Sequence, residues 1–166
     1  IDDSVAFTGS FDGDGYVVSN FSINGNSDYV GLFGYIHYGT VSSLGVADCN
    51  IAGGDNVGGL CGESYSGTIS NCYFSGSVTG AEDVGGLCGC ISSYGIGSVK
   101  SCYSDSNVSG ENRVGGLVGY NYSVRVSNCY STGSVSGDSS AGGFCGRNTS
   151  DYLSDCYSDA SVEGTL

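Results

Sequence analysis

The chain has 166 residues, enough for one domain and not obviously two. Its 31 glycines come without proline and without a Gly-X-Y period, which excludes collagen, and 39% hydrophobic residues at regular positions argue against disorder. A net charge of −13, with Lys100, Arg113, Arg125 and Arg147 as the only cations, opposes binding to nucleic acid or to anionic membrane surfaces. No stretch approaches the roughly 18 apolar residues of a membrane span, so no direct membrane insertion is expected.

The chain begins at Ile1 without Met, which we read as a mature product or a piece of something longer. Residues 1–29 read as an irregular capping coil anchored by Phe7, Phe11 and Tyr16. Asp12-Gly13-Asp14-Gly15 is turn chemistry, because Asp and Gly tolerate left-handed backbone. Asp12 and Asp14 are also weak calcium candidates, although the further acidic ligands and closing Glu of an EF-hand are missing. No other cofactor is expected.

Residues 30–166 form a repeat array within the same single domain. Val57-Gly58-Gly59-Leu60-Cys61-Gly62 recurs as Val84-Gly85-Gly86-Leu87-Cys88-Gly89, as Val114-Gly115-Gly116-Leu117-Val118-Gly119 and as Ala141-Gly142-Gly143-Phe144-Cys145-Gly146. A shorter copy, Val30-Gly31-Leu32-Phe33-Gly34, precedes them. Leu60 to Leu87 spans 27 residues, Leu87 to Leu117 spans 30, and Leu117 to Phe144 spans 27. A second column is Cys72, Cys102, Cys129 and Cys156, each followed by Tyr. Leu87 to Cys102 is 15 residues where the other copies have 12, so three extra residues fall between them, in the segment from Cys90 to Gly97. Val18, Val41, Ile69, Val99, Val126 and Leu153 form a third column, and Val78, Val108, Val135 and Val162 a fourth.

So many glycines oppose helix, and no 3.6-residue period appears. Short strands with Gly, Asn and Ser corners fit. On one strand face, Cys72, Phe74, Gly76 and Val78 alternate with Tyr73, Ser75 and Ser77 on the other, an apolar interior against a wet exterior. The second glycine of the longer copies reads as a bulge or bend. We therefore expect an all-β fold, a parallel β-helix (β-solenoid), right-handed, of about five coils of 27–30 residues.

The V-G-G-L-x-G copies, with Cys129-Tyr130-Ser131-Thr132-Gly133-Ser134-Val135-Ser136-Gly137, resemble the GLUG motif, and 11–20 look like the segment that often precedes it. The resemblance covers nearly the whole chain. It implies modules of secreted or cell-surface bacterial and archaeal proteins, including immunoglobulin A peptidases and adhesin-like proteins. The zinc protease chemistry of those peptidases does not carry over, because His37 is the sole histidine and no His-Glu-x-x-His exists.

Seven of the nine cysteines lie on two repeat columns: Cys61, Cys88 and Cys145, and Cys72, Cys102, Cys129 and Cys156. Zinc is disfavoured, since Cys88-x-Cys90 is the only close pair. Stacked positions about 4.8 Å apart would permit disulfides such as Cys61–Cys88, Cys72–Cys102 or Cys129–Cys156. Buried reduced thiols are favoured, because Val118 and Leu44 occupy equivalent positions. Tyr73, Tyr103, Tyr130 and Tyr157 should form an outward ladder, structural in the first instance and a candidate surface for glycan or protein in the second. Carboxylates at Asp55, Glu82, Asp83 and Glu111 read as solvated turn residues, and no catalytic grouping is visible. Sequons at Asn20, Asn107, Asn121 and Asn148 are no commoner than Asn and Ser abundance allows. The expectation is an extracellular, non-enzymatic stalk or end-to-end stacking unit, with other repeats or copies as partners. Adhesion and a polysaccharide-active β-helix are the alternatives.

Overall fold

The computed structural model describes residues 5–164; residues 1–4 of the expected first coil and residues 165–166 lie outside the described residues. The chain is an all-β parallel solenoid of about six turns, without helix among the described residues. One face is a six-stranded sheet of Ser10–Asp12, Thr40–Ser42, Thr68–Ser70, Ser98–Lys100, Arg125–Ser127 and Leu153–Ser154. A second face stacks Gly45–Ala52, Tyr73–Thr79, Tyr103–Gly115 and Tyr130–Gly142. The third holds Phe33–His37, Cys61–Tyr65, Cys88–Ser92, Val118–Tyr122 and Cys145–Asn148. The sixth turn comes from the N-terminal segment, where Ser10–Asp12 and Val17–Ser19 pair in parallel with Thr40–Ser42 and Gly45–Ala47.

The corners explain how so short a turn closes. Left-handed φ recurs immediately before the second face at Ser43, Asn71, Ser101, Asn128 and Asp155. It recurs before each V-G-G copy at Tyr29, Asn56, Asp83, Arg113 and Ser140. A single left-handed residue turns the chain from one face to the next, and Asn and Asp bear it best among residues with a Cβ.

The second glycine of each long copy lies at the expected bend, where the chain passes from the second face to the third, and the motif glycines have a steric role besides. Gly58, Gly59 and Gly62 are not among the positive-φ residues; what they lack is room. A Cβ on Gly58 would meet the carbonyl oxygen of Cys61, and one on Gly59 would enter the Phe74 ring. A Cβ on Gly62 would meet the backbone of Val30 in the turn before. The third glycine repeats that contact in each copy: Gly89 on Val57, Gly119 on Val84, Gly146 on Val114. The motif is where the solenoid is pinched and where successive turns interlock.

The interior follows the expected columns except at the start of the third, where Phe11 and not Val18 stands on Val41, because Val18 pairs with Val46 on the second face. Val41, Ile69, Val99 and Val126 are buried, as are Cys72, Phe74 and Val78. Leu60 and Cys61, adjacent in sequence, are both fully buried. The three-residue insertion lies between Ser92 and Ser98, since Ser92 pairs with Tyr65 and Ser98 with Thr68. The solenoid thus keeps its rung register and expels the extra chain at one corner.

Candidate functional site

Tyr73, Tyr103, Tyr130 and Tyr157 occupy equivalent positions on successive rungs. Their ring centroids are 4.9, 4.9 and 5.2 Å apart with planes within 7° of parallel. That spacing is close to the roughly 4.8 Å between neighbouring strands, so the rings stack in parallel at the rung repeat. The faces of the inner rings are spent on each other, and what reaches solvent is the edges and hydroxyls. The ladder starts at Tyr73 because Gly45 pairs with it one rung below and leaves the ring space.

The cysteines are nine free thiols, seven of them buried. Cys72, Cys102, Cys129 and Cys156 each donate to the carbonyl two residues back, at 3.1–3.2 Å. Cys61 and Cys145 donate instead to the carbonyl two residues on, Glu63 and Arg147, at 2.8 and 3.0 Å. Burial holds the Cys61 and Cys88 thiols well above the ordinary range. The buried thiols fill the interior, and the thiols of Cys61, Cys72, Cys102, Cys129, Cys145 and Cys156 have carbonyl acceptors.

Asp12 Oδ1 accepts from the Asp14 N–H at 3.1 Å, and Asp14 and Gly15 both have positive φ, the geometry of a turn. No group of three or more His, Cys, Asp or Glu placed to hold a metal ion occurs among the described residues. Asn121 is buried, its amide nitrogen donating to the Val124 carbonyl and to Asn148 Oδ1, which closes that sequon to a glycan. Asp105 shares its column with Thr132, whose hydroxyl it accepts at 2.8 Å.

One turn carboxylate departs from expectation. Asp83 is not solvated but buried at the corner before Val84. Arg113, one turn on at the same corner, places Nε 2.7 Å from Asp83 Oδ1 and donates from Nη2 to Asp83 Oδ2 at 3.0 Å and to Glu82 at 2.7 Å. Burial outweighs this pairing and pushes the Asp83 carboxyl up to about 6.

A second aromatic array was not anticipated from the sequence. On the outer surface of the third face and its corner, Tyr35, His37, Tyr38, Tyr65, Tyr94, Tyr122 and Tyr120 form a continuous chain of ring contacts, with centroids 4.7–6.3 Å apart. At Tyr65, Tyr94 and Tyr122 the rings meet edge to face, at 66° and 79°. Among them Glu63 is partly buried and accepts from Ser92 Oγ at 3.3 Å; burial raises its carboxyl from the ordinary value. Arg113 and Arg147 both lie over Tyr120, at 5.3 and 5.4 Å. The sequence signal was the alternation Tyr35, His37 and Tyr120, Tyr122 at paired positions, hidden because Ser92 interrupts the column and Tyr94 comes from the insertion.

On the opposite side of the insertion, an open groove of about 600 Å³ is lined by Ile96, Lys100, Arg125 and Asn128 among others, and so holds two of the four cations. Arg125 also lies 4.9 Å over the Tyr152 ring.

The comparisons with known proteins accord with this architecture. The GLUG motif model matches residues 53–79 and 110–136, each 27 residues long and each one complete turn of the solenoid. The chain is 42% identical over 80 residues, 47% of its length, to halomucin of Haloquadratum walsbyi. The match spans 1% of that far longer protein. No solved structure matches the chain. Two turns of the solenoid thus match the GLUG motif, and about half of the chain is distantly similar to a short part of halomucin.

Proposed function

We propose that the chain is a non-enzymatic structural module of an extracellular, cell-surface protein, a rigid solenoid segment that docks further repeats or a second copy end to end. The observation that carries it is the continuity of the columns into the last described rung. Leu153, Tyr157 and Val162 stand in register on Val126, Tyr130 and Val135. They are 40%, 61% and 46% exposed, whereas Val126 and Val135 are 1% exposed. A further turn with the same motif would cover them by the same pairing. Similarity to a short stretch of a very long protein supports a unit repeated within an array, and resemblance to secreted modules supports the location. The inner faces of the Tyr73 column, occupied by stacking, favour a structural spine over an adhesive surface there.

The test is small-angle scattering on one copy and on two copies joined in register, with sedimentation velocity over a concentration series. A continuous rod should lengthen by about 29 Å per added copy, six turns at about 4.8 Å each. Two hinged particles with no fixed added length, and no association at high concentration, would count against docking.

A further inference from the structure

We propose that the aromatic strip along Tyr38, Tyr65, Tyr94 and Tyr122 is a binding track for an uncharged linear polysaccharide lying along the solenoid axis. The three-residue insertion supplies its central ring. His37, Tyr65, Ser92 and Tyr122 occupy one outward position on successive rungs, so Ser92 would leave a gap of one ring. Tyr94 fills it from the inserted loop, 6.0 Å from Tyr65 and 6.3 Å from Tyr122. The loop is held in place for this. Ser93 is buried, and its Oγ accepts the N–H groups of Gly95, Ile96 and Gly97 at 2.9–3.1 Å.

Nothing in the packing of the core explains Tyr94, which is 82% exposed. A large ring held at such exposure is a contact surface rather than a filler. The strip differs from the Tyr73 ladder in the way that matters for a sugar. Its rings meet edge to face, so a contact covers the face of only one ring of the pair, and Tyr38, Tyr94 and Tyr122 stay exposed to the C–H face of a pyranose. Successive rings are spaced about as far apart as successive sugars in an extended chain. Glu63, between the aromatic columns, offers carboxylate oxygens to hydroxyl donors, the kind of placed polar group that orients a ligand on an apolar surface.

Shape and charge select the occupant. The track is one ring wide and several rungs long, whereas a globular partner wants a patch of about 800 Å². A chain of net charge −13 with Glu63 in the track repels polyanions. Arg113 and Arg147 both pack on Tyr120, beside Tyr122 on the same rung, so these cations flank the strip rather than line it. An uncharged glycan chain meets each condition.

The experiment is a titration of the intact chain with linear hexasaccharides of β-1,4-glucose, β-1,4-mannose and β-1,4-N-acetylglucosamine, followed by calorimetry and tyrosine fluorescence. At least one should bind. Tyr94→Ala should weaken it on the order of tenfold, with an unchanged melting temperature. Tyr65→Ala should weaken it as much, and Tyr157→Ala should leave it unchanged. No binding to any of the three, or binding indifferent to Tyr94→Ala, would overturn the proposal. Concentration-dependent self-association abolished by Tyr94→Ala would assign the strip to a second copy and overturn it too.

Discussion

Tyr103 lies on Tyr130 with ring centroids 4.9 Å apart and planes 2° from parallel. Tyr103 also carries Tyr73 on its other face, at 4.9 Å and 4°. An inner ring therefore has two partners, whereas Tyr157 at the last described rung has one, Tyr130. Each stacked pair is worth about 0.5–1.5 kcal/mol beyond area burial. Tyr103→Ala should cost about 2–3 kcal/mol and Tyr157→Ala about 1 kcal/mol or less. Urea unfolding monitored by circular dichroism measures both; equal costs would show that stacking contributes little.

The glycine motif predicts sharp intolerance at positions that look conformationally ordinary. A Cβ on Gly116 would run into the carbonyl oxygen of Gly143 on the next turn and crowd Ser131. Gly116→Ala should therefore destabilise by about 3 kcal/mol or more, at or beyond the upper end of overpacking penalties. At Gly25 a Cβ would have no neighbour nearer than 4.0 Å, and φ is not in the left-handed region. Gly25→Ala should be neutral or stabilising by up to about 1 kcal/mol. The two midpoints of chemical unfolding, compared side by side, decide whether steric interlock explains the motif.

The thiols should count as nine in denatured, unreduced protein. In the folded state Cys145 and Cys156, half-buried, should react with a thiol reagent before the other seven. Cys88 shares its column with Cys61 and Val118, so Cys88→Val should cost less than about 1.5 kcal/mol. A count of one free thiol or fewer would instead mean that the columns are cross-linked.

Asp83 gives a pH dependence whose sign follows from its burial. Its carboxyl rises from 3.8 to about 6 in the folded chain, so between those values the folded state binds more protons than the unfolded state. This group's contribution to stability is therefore greatest below pH 3.8, declines as pH rises to about 6, and is constant above. Asp83→Asn removes that slope. The melting temperature of the wild type relative to Asp83→Asn should rise as pH falls from 6 to 4; a difference independent of pH would show that Arg113 holds Asp83 ionised throughout.

Much of this was legible because a solenoid writes its contacts into its period. Residues one turn apart are spatial neighbours, so the valine, cysteine and tyrosine columns could be read by counting. The same counting would have paired Asp83 with Arg113, which are 30 residues apart in the long repeat. It was missed because turn carboxylates are ordinarily solvated and the pair is not repeated in other turns. The aromatic strip escaped for another reason. Its rings come from different motif positions, and Tyr94 enters from an insertion that column counting sets aside. The bend at the second glycine was legible, but the steric interlock was not, because sequence shows an absent side chain and not what occupies its place.

The pairing geometry also fixes how the chain should yield under load. All strand pairings among the described residues are parallel and one turn apart, so their hydrogen bonds point along the axis. Tension applied between the two ends strips the outermost rung before the inner ones, as a zip opens rather than as a rope breaks. A 27-residue turn releases about 90 Å of contour at about 3.4 Å per residue. The third glycine of each motif grips the turn before it, so release should come in whole-turn steps, with the array shortening its grip by one unit and leaving the next intact.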